Sequence, residues 1–278
     1  MADQQVSILI PTHRTPELTK LCLRLLRKHT PADVARVIVI DNDSQDATVE
    51  YLRGLKWIEL LERDISADTD PTQSHARALD RGFIEVDTPY VLSIHTDTLI
   101  KRPDWLDYLL HSIKTDPNCA GAGSWKLEHV SPLKRLTQPA DKQLKAWFPR
   151  LKGRRQRMRE QRMEIGEYLR SHCALYRSDL IRRHELSFVD DGISSTGRRL
   201  HQGLVDHGHK MVFLPSTELS KYLEHVNHAT IILNPQLQLE LVGGTSRPLA
   251  MLRGRRRMQR ILDALDAEIV LTDTTLDL

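Results

Sequence analysis

Tyr90-Val91-Leu92-Ser93-Ile94-His95-Thr96-Asp97-Thr98 is the stretch that decides the fold. Five residues of strand type run abruptly into an imidazole and a carboxylate. On an extended chain, residues two apart project to the same side, so His95 and Asp97 face one place. Both are metal-ligating or hydrogen-bonding groups. In open α/β sheets, ligands bind beyond the carboxyl ends of the strands. This strand end is therefore the first candidate for an active site.

Upstream of it the same pattern recurs. Val6–Ile10 is a short apolar run stopped by Pro11, and Val37–Ile40 is a second, ending in Asp41-Asn42-Asp43-Ser44. Trp57–Leu61 reads as a third strand. Leu18, Leu21, Leu25 and Leu26 recur at helical spacing behind Pro16, which suits a first helical turn. Further helices are predicted over 46–54, 72–85 and 103–115, the last with Trp105, Leu106, Leu109, Leu110 and Ile113 on one face. Strands that alternate with helices predict an α/β domain, a doubly wound, mostly parallel sheet with helices on both faces. The strand ends Pro11-Thr12-His13, Asp41-Asn42-Asp43 and His95-Thr96-Asp97 then meet on one rim as a polar crevice. The second half is less regular. Strands are expected over 119–125, 172–176 and 211–214. Helices are expected over 178–184 and 200–207, the latter closing at Gly208, and a last helical run over 258–267. The small residues Ala120 to Gly123 mark a close approach of backbone.

Composition narrows the function classes. The chain has 278 residues, 40% hydrophobic and 28% charged, with a net charge of +3, so it can bury a core and is not of disordered type. No global field argues for nucleic acid. Within a basic stretch over 133–162, the cluster Arg150–Arg162, like the cluster Arg253–Arg260, lacks the interleaved aromatics of a nucleic-acid platform. They read first as solvated faces, and second as surfaces for a lipid phosphate or an anionic membrane. Cys22, Cys119 and Cys173 are too few and too scattered for a disulfide framework or a zinc ribbon. No window holds 18 apolar residues, and Val6–Ile10 is too short for a signal peptide. The expected place is the cytoplasm, peripheral at the inner face of the membrane if the clusters bind it.

Four segments, taken in order and at their spacing, resemble family 2 glycosyltransferases of the GT-A fold over roughly residues 5–228. They are Val6-Ser-Ile-Leu-Ile-Pro-Thr-His13, Ile40-Asp-Asn-Asp-Ser-Gln-Asp46, Ala78-Leu-Asp-Arg-Gly82 and Ile94-His-Thr-Asp97. The last three are similar to the family's V-D-[DN]-x-S-x-D, A-[LR]-N-x-G and L-D-x-D. The resemblance implies a GT-A domain over 1–230, with a nucleotide half to about 125 and an acceptor half beyond it. A C-terminal helical extension would follow over 231–278. It implies a metal-dependent, inverting transfer of a sugar from a nucleotide-sugar donor to a hydroxyl acceptor. That acceptor would be glycan or lipid-linked, as in the making of cell-envelope polysaccharide.

The resemblance also assigns residues. Pro11, Thr12, His13, Asp41, Asn42, Asp43, His95 and Thr96 would hold the nucleotide. Asp97, His95 and a late histidine would hold the divalent metal, Mn2+ or Mg2+. His225 and His228 both suit the late position, with His228 preferred. His95 stands where the family has a carboxylate, and imidazole suits Mn2+ better than Mg2+. The centre should therefore work with Mn2+ at least as well as with Mg2+. The family's Glu-Asp pair, which supplies the general base, falls near Thr196-Gly197, where there is no carboxylate. Asp191, with Asp190 beside it, is the candidate base. The plainer readings are Asp41 as a helix cap, Asn42 and Asp43 as turn residues, and His95 as a core histidine. Two other functions compete: a glycosyltransferase-like protein that binds without turnover, and a nucleotidyltransferase. Against the latter, the chain has no GxGxxG after its first strand and no GxxxxGK[ST].

Overall fold

A computed structural model describes residues 4–66, 68, 71–125, 167–189, 196–226, 229 and 248–278. Strands β1 (Val6–Thr12), β2 (Ala35–Asn42), β3 (Glu59–Arg63) and β4 (Tyr90–Ile94) run parallel to one another. Helices α1 (Pro16–His29), α2 (Ala47–Gly54) and α3 (Pro71–Ile84) connect them. After β5 (Thr98–Ile100) and α4 (Trp105–Lys114) come β6 (Cys119–Gly123), β7 (Cys173–Arg177), α5 (Ser178–Arg183), α6 (Arg198–Asp206) and β8 (Lys210–Phe213). The main sheet has the order β3-β2-β1-β4-β7-β6-β8. β7 lies antiparallel to both β4 and β6, and β6 is parallel to β8. The sheet is thus parallel in its first half and mixed in its second. The chain ends in α7 (Ser216–Leu219), β9 (Leu223–His225), α8 (Pro248–Ala264), α9 (Ala267–Thr272) and a 3-10 turn over Thr274–Asp277.

The central strands read as unbroken apolar runs because both faces are covered. Along β1, Val6, Ile8 and Ile10 pack into one core layer with α1, α4 and α9, while Leu9 enters the other with α3, α5 and α6. Each such fully buried aliphatic side chain contributes about 1.5–3 kcal/mol. Trp105 at the start of α4 is wholly buried, and its indole N–H donates to the Thr30 hydroxyl at 3.0 Å.

Several elements differ from the sequence expectations. β3 runs over 59–63 rather than 57–61, because Glu59 to Arg63 take the register opposite Ile38 to Asn42. The last helical run begins at Pro248 rather than Met258 and breaks after Ala264, before α9. β5 and β9 were not foreseen, since three residues are too few to show a period of two. They pair antiparallel, Thr98 opposite His225, as a small second sheet. The basic stretch 133–162 lies outside the described residues. Among the described residues, no helix is long and apolar enough to cross a membrane.

Candidate active site

The site is built where β4 stops. The Thr98 N–H donates to the His95 carbonyl at 3.0 Å, which turns the chain from β4 into β5. β5 pairs with β9, and the Val226 N–H donates to the Asp97 carbonyl at 2.9 Å. That pairing carries His225 to Asp97 from 128 positions along the chain. β7 approaches β4 from the other side, Ile94 opposite Cys173, and so delivers Ser171 and His172. The backbone carbonyl of His172 accepts from the Thr98 hydroxyl at 2.8 Å.

His95, Asp97 and His225 each present one ligand atom within 4.8 Å of the others. Asp97 Oδ1 lies 3.1 Å from His225 Nε2 and 3.8 Å from His95 Nδ1. Among the described residues, Asp97 Oδ1 is buried without a geometrically formed hydrogen bond. His95 Nε2 stands 3.0 Å from the Ser171 hydroxyl. The His172 ring stacks on His225, centroids 4.6 Å apart and planes 16° apart. His75, from α3, meets the His95 ring edge-on at 4.6 Å. The Nε2 atoms of His75 and His172 are likewise buried and unpartnered among the described residues.

Burial governs the protonation of this cluster. It pushes His95 down to about 3, against the pull of Asp97 and with the help of His225 and His172. It pushes His172 down to about 3 as well and holds His75 well below the usual histidine range. Burial acts upward on the Asp97 carboxyl, but His225 and then His95 outweigh it and leave it below the usual carboxylate range. Burial thus keeps His95, His172 and His75 neutral beside an ionised carboxylate, the state in which both residue types bind a metal.

The residues present fit a divalent cation. Asp97 Oδ1, buried without a partner among the described residues, belongs to a group whose His95, Asp97 and His225 ligand atoms lie within 4.8 Å of one another, and such an orphan is costly unless an ion or water satisfies it. His228, the preferred late histidine, lies outside the described residues. His225, the other candidate, stands with its Nε2 3.1 Å from Asp97 Oδ1. Asp191 and Asp190 also lie outside the described residues. The chain leading to them is held by Asp80 of α3, whose carboxylate accepts from the Phe188 N–H at 2.7 Å and the Val189 N–H at 3.2 Å.

The residues expected from the sequence to hold the nucleotide line the neighbouring strand ends and turns. Pro11 and Thr12 are buried at the end of β1, and the Thr12 hydroxyl bonds Thr19 of α1 at 2.8 Å. His13 Nδ1 lies 2.6 Å from the Asn42 carbonyl, tying β1 to β2. The buried Asp41 carboxylate accepts from both the N–H and the hydroxyl of Ser44, so it shapes its own turn. Asp46, not Asp41, caps α2, accepting from the Thr48 N–H at 2.8 Å. The Asn42 side chain accepts from Arg63, whose guanidinium also bonds Asp68 at 2.9 Å. Asp43 has φ 53°, a left-handed turn position, and its carboxylate accepts from Gln45 at 2.7 Å. Thr96 is buried in the β4–β5 turn. Arg63, Ser171 and His172 were not singled out from the sequence. His172 opens an expected strand, and a polar residue at a strand start was the one available signal.

A mixed, mostly parallel α/β sheet of this order, flanked by helices, defines the class by its architecture: the GT-A fold. The family model described as glycosyl transferase family 2 matches residues 7–185, well over half of the chain. The chain belongs to glycosyl transferase family 2.

In fold it is similar to the mannosyltransferase PcManGT from Pyrobaculum calidifontis, solved in complex with GDP-Man and Mn2+. The TM-score is 0.53 at 14% identity, over 77% of this chain and 55% of that one. It is also similar to residues 1–349 of TarS from S. aureus, at TM-score 0.52 and 16% identity, over 83% of this chain and 66% of that one. The TarS complex with UDP-GlcNAc gives TM-score 0.52 and 15% identity, over 80% and 58%. The chain thus spans between about half and two thirds of the length of these structures. No curated protein matches the sequence.

Proposed function

We propose that the chain transfers a sugar from a nucleotide-sugar donor to a hydroxyl of a glycan or lipid-linked acceptor, with a divalent metal and with inversion at the anomeric carbon. The observation that carries this reading is the meeting of His95, Asp97 and His225 beyond the end of β4. The complexes of similar folds with GDP-Man and Mn2+ and with UDP-GlcNAc support it. Asp97, His95 and His225 would hold the metal, whose charge would offset that of the departing diphosphate. Pro11, Thr12, His13, Asn42 and Asp43 form the nucleoside side of the crevice, with Asp41 fixing the turn and Arg63 orienting the Asn42 amide. Thr96 sets the bend that aims His95 and Asp97 the same way.

In direct displacement the acceptor oxygen bonds the anomeric carbon as its bond to the diphosphate oxygen breaks. The electron pair leaves with the diphosphate, and a base takes the acceptor proton. That base is Asp191. Asp191→Asn should lower turnover by about 10²–10⁴-fold and leave nucleotide binding unchanged. Turnover at the original rate would remove Asp191 from the mechanism.

The test of the whole reading is a thermal-shift panel of UDP, GDP, dTDP and CDP, each with and without Mn2+. One diphosphate should raise the melting temperature only when the ion is present, by up to about 2.7 kcal/mol of added stability at a hundredfold excess over its Kd. Asp97→Ala should abolish the shift. A shift that survives this substitution would overturn the metal assignment. A second reading, binding without turnover, draws on Thr196 and Gly197, which stand before α6 where a Glu-Asp pair would supply the base. Transfer or metal-dependent hydrolysis of a nucleotide sugar would dismiss it.

A further inference from the structure

The donor atoms gathered at Asp97 are of an unusual kind for an ion that must meet a diphosphate. Among the described residues, Asp97 is the one carboxylate of the ligand group; the other two members, His95 and His225, offer nitrogen. The layer behind them is nitrogen again. His172 lies 4.6 Å and 6.3 Å from His225 and His95, and His75 lies 4.6 Å from His95, ring centroid to ring centroid. Two of these outer rings aim a buried, unpartnered Nε2.

Ion hardness decides what such a set binds. Mg2+ demands near-ideal octahedral oxygen coordination and gives up its waters reluctantly. Imidazole suits Fe2+, Co2+, Ni2+ and Zn2+, and a set of two histidines and one carboxylate is the donor set of such ions. One carboxylate also leaves a bound dication with a net positive charge, to be met by the diphosphate.

We propose that the centre formed by His95, Asp97 and His225 selects a nitrogen-preferring divalent ion of the Mn2+-to-Zn2+ series and discriminates strongly against Mg2+, and that His95 is the residue that sets this choice. The proposal rests on the metal reading of the same site given above. Affinity rises from Mn2+ through Fe2+ to Co2+ and Zn2+, as for nitrogen-containing sites in general.

The test needs no turnover. The full chain, stripped with a chelator, is titrated calorimetrically with Co2+, Zn2+, Mn2+ and Mg2+, and Co2+ binding is followed in parallel by its visible absorption. Asp97→Asn serves as the blank for other sites. It retains any ion taken by the outer pair His184 and His209, whose Nε2 atoms stand 3.1 Å apart. One Co2+ should bind beyond that blank, at least about a hundredfold more tightly than Mg2+. His95→Asp, which exchanges a nitrogen donor for an oxygen donor, should shrink the Co2+-to-Mg2+ ratio by about tenfold or more. If that variant does not fold, the neutral His95→Asn, which likewise exchanges a nitrogen donor for an oxygen donor, carries the same comparison.

Mg2+ binding within about tenfold of Co2+, or an unchanged ratio in the His95 variant, would overturn this inference and leave the metal reading standing. No ion bound beyond the blank would overturn both.

Discussion

His95, His172 and His201 are imidazoles that their surroundings keep neutral. Burial pushes the first two down to about 3 and the third, which accepts from the Leu169 N–H at 3.3 Å, down to about 4. In the unfolded chain each returns to about 6.5. Between those values the unfolded state binds protons that the folded state refuses, so stability falls as pH drops through that window. The depressed Asp97 carboxyl acts in the same direction, but only below the unfolded carboxylate value of about 3.9. Urea midpoints of the metal-free protein should therefore fall between about pH 7 and about pH 5, with a slope of at least one proton, about 1.4 kcal/mol per pH unit. A flat profile would mean that these rings are solvated. At this scale the sequence was half legible. His95 and Asp97 announce themselves because a strand of five residues, four of them buried, ends on them. His172 does not, because its importance lies in an orphaned Nε2 and a stack on His225, and neither exists before the chain folds.

Strand β6 shows how an element serves the site. A Cβ on Gly123 would stand 2.5 Å from the Cys173 carbonyl oxygen, part of the backbone that carries His172. Gly123→Ala should force β6 and β7 apart and cost about 1–3 kcal/mol, seen as a drop of several degrees in Tm. An unchanged Tm would show that β7 can shift freely. The small residues of Cys119–Gly123 gave this away in the sequence, since a run with no side chains to pack invites a neighbouring backbone. β1, β2 and β4 were equally plain, being apolar runs long enough to carry a pattern. β5 and β9 were not, and they matter most to the site, because their pairing sets His225 beside Asp97. Three-residue strands are defined by a partner rather than by a period.

Across the whole molecule, the C-terminal helices close against α1 through a single buried cation. Arg24 is 2% exposed, donates to the Val270 carbonyl at 3.1 Å and to the Leu271 carbonyl at 2.5 Å, and forms a two-pronged ion pair with Asp277. The Tyr51 hydroxyl donates to the same carboxylate at 2.8 Å. Asp277→Ala leaves a buried guanidinium without its counter-ion and should cost about 3 kcal/mol or more, read from urea unfolding; a loss under about 0.5 kcal/mol, the scale of an ordinary surface substitution, would show that the pair is solvated. Nothing local marks this contact, for its partners are 253 residues apart. The sequence by itself determined the alternation of strand and helix, the parallel first half of the sheet and the rim on which Asp97 stands. Those follow from hydrophobic period and strand ends, which are properties of neighbours in the chain. The tertiary structure alone decided the antiparallel β7, the late histidine that reaches the carboxylate, the ring of imidazoles around it and the arginine latch. Each of these depends on which distant segments pack together, and that is settled by the burial of the whole core rather than by any segment's own pattern.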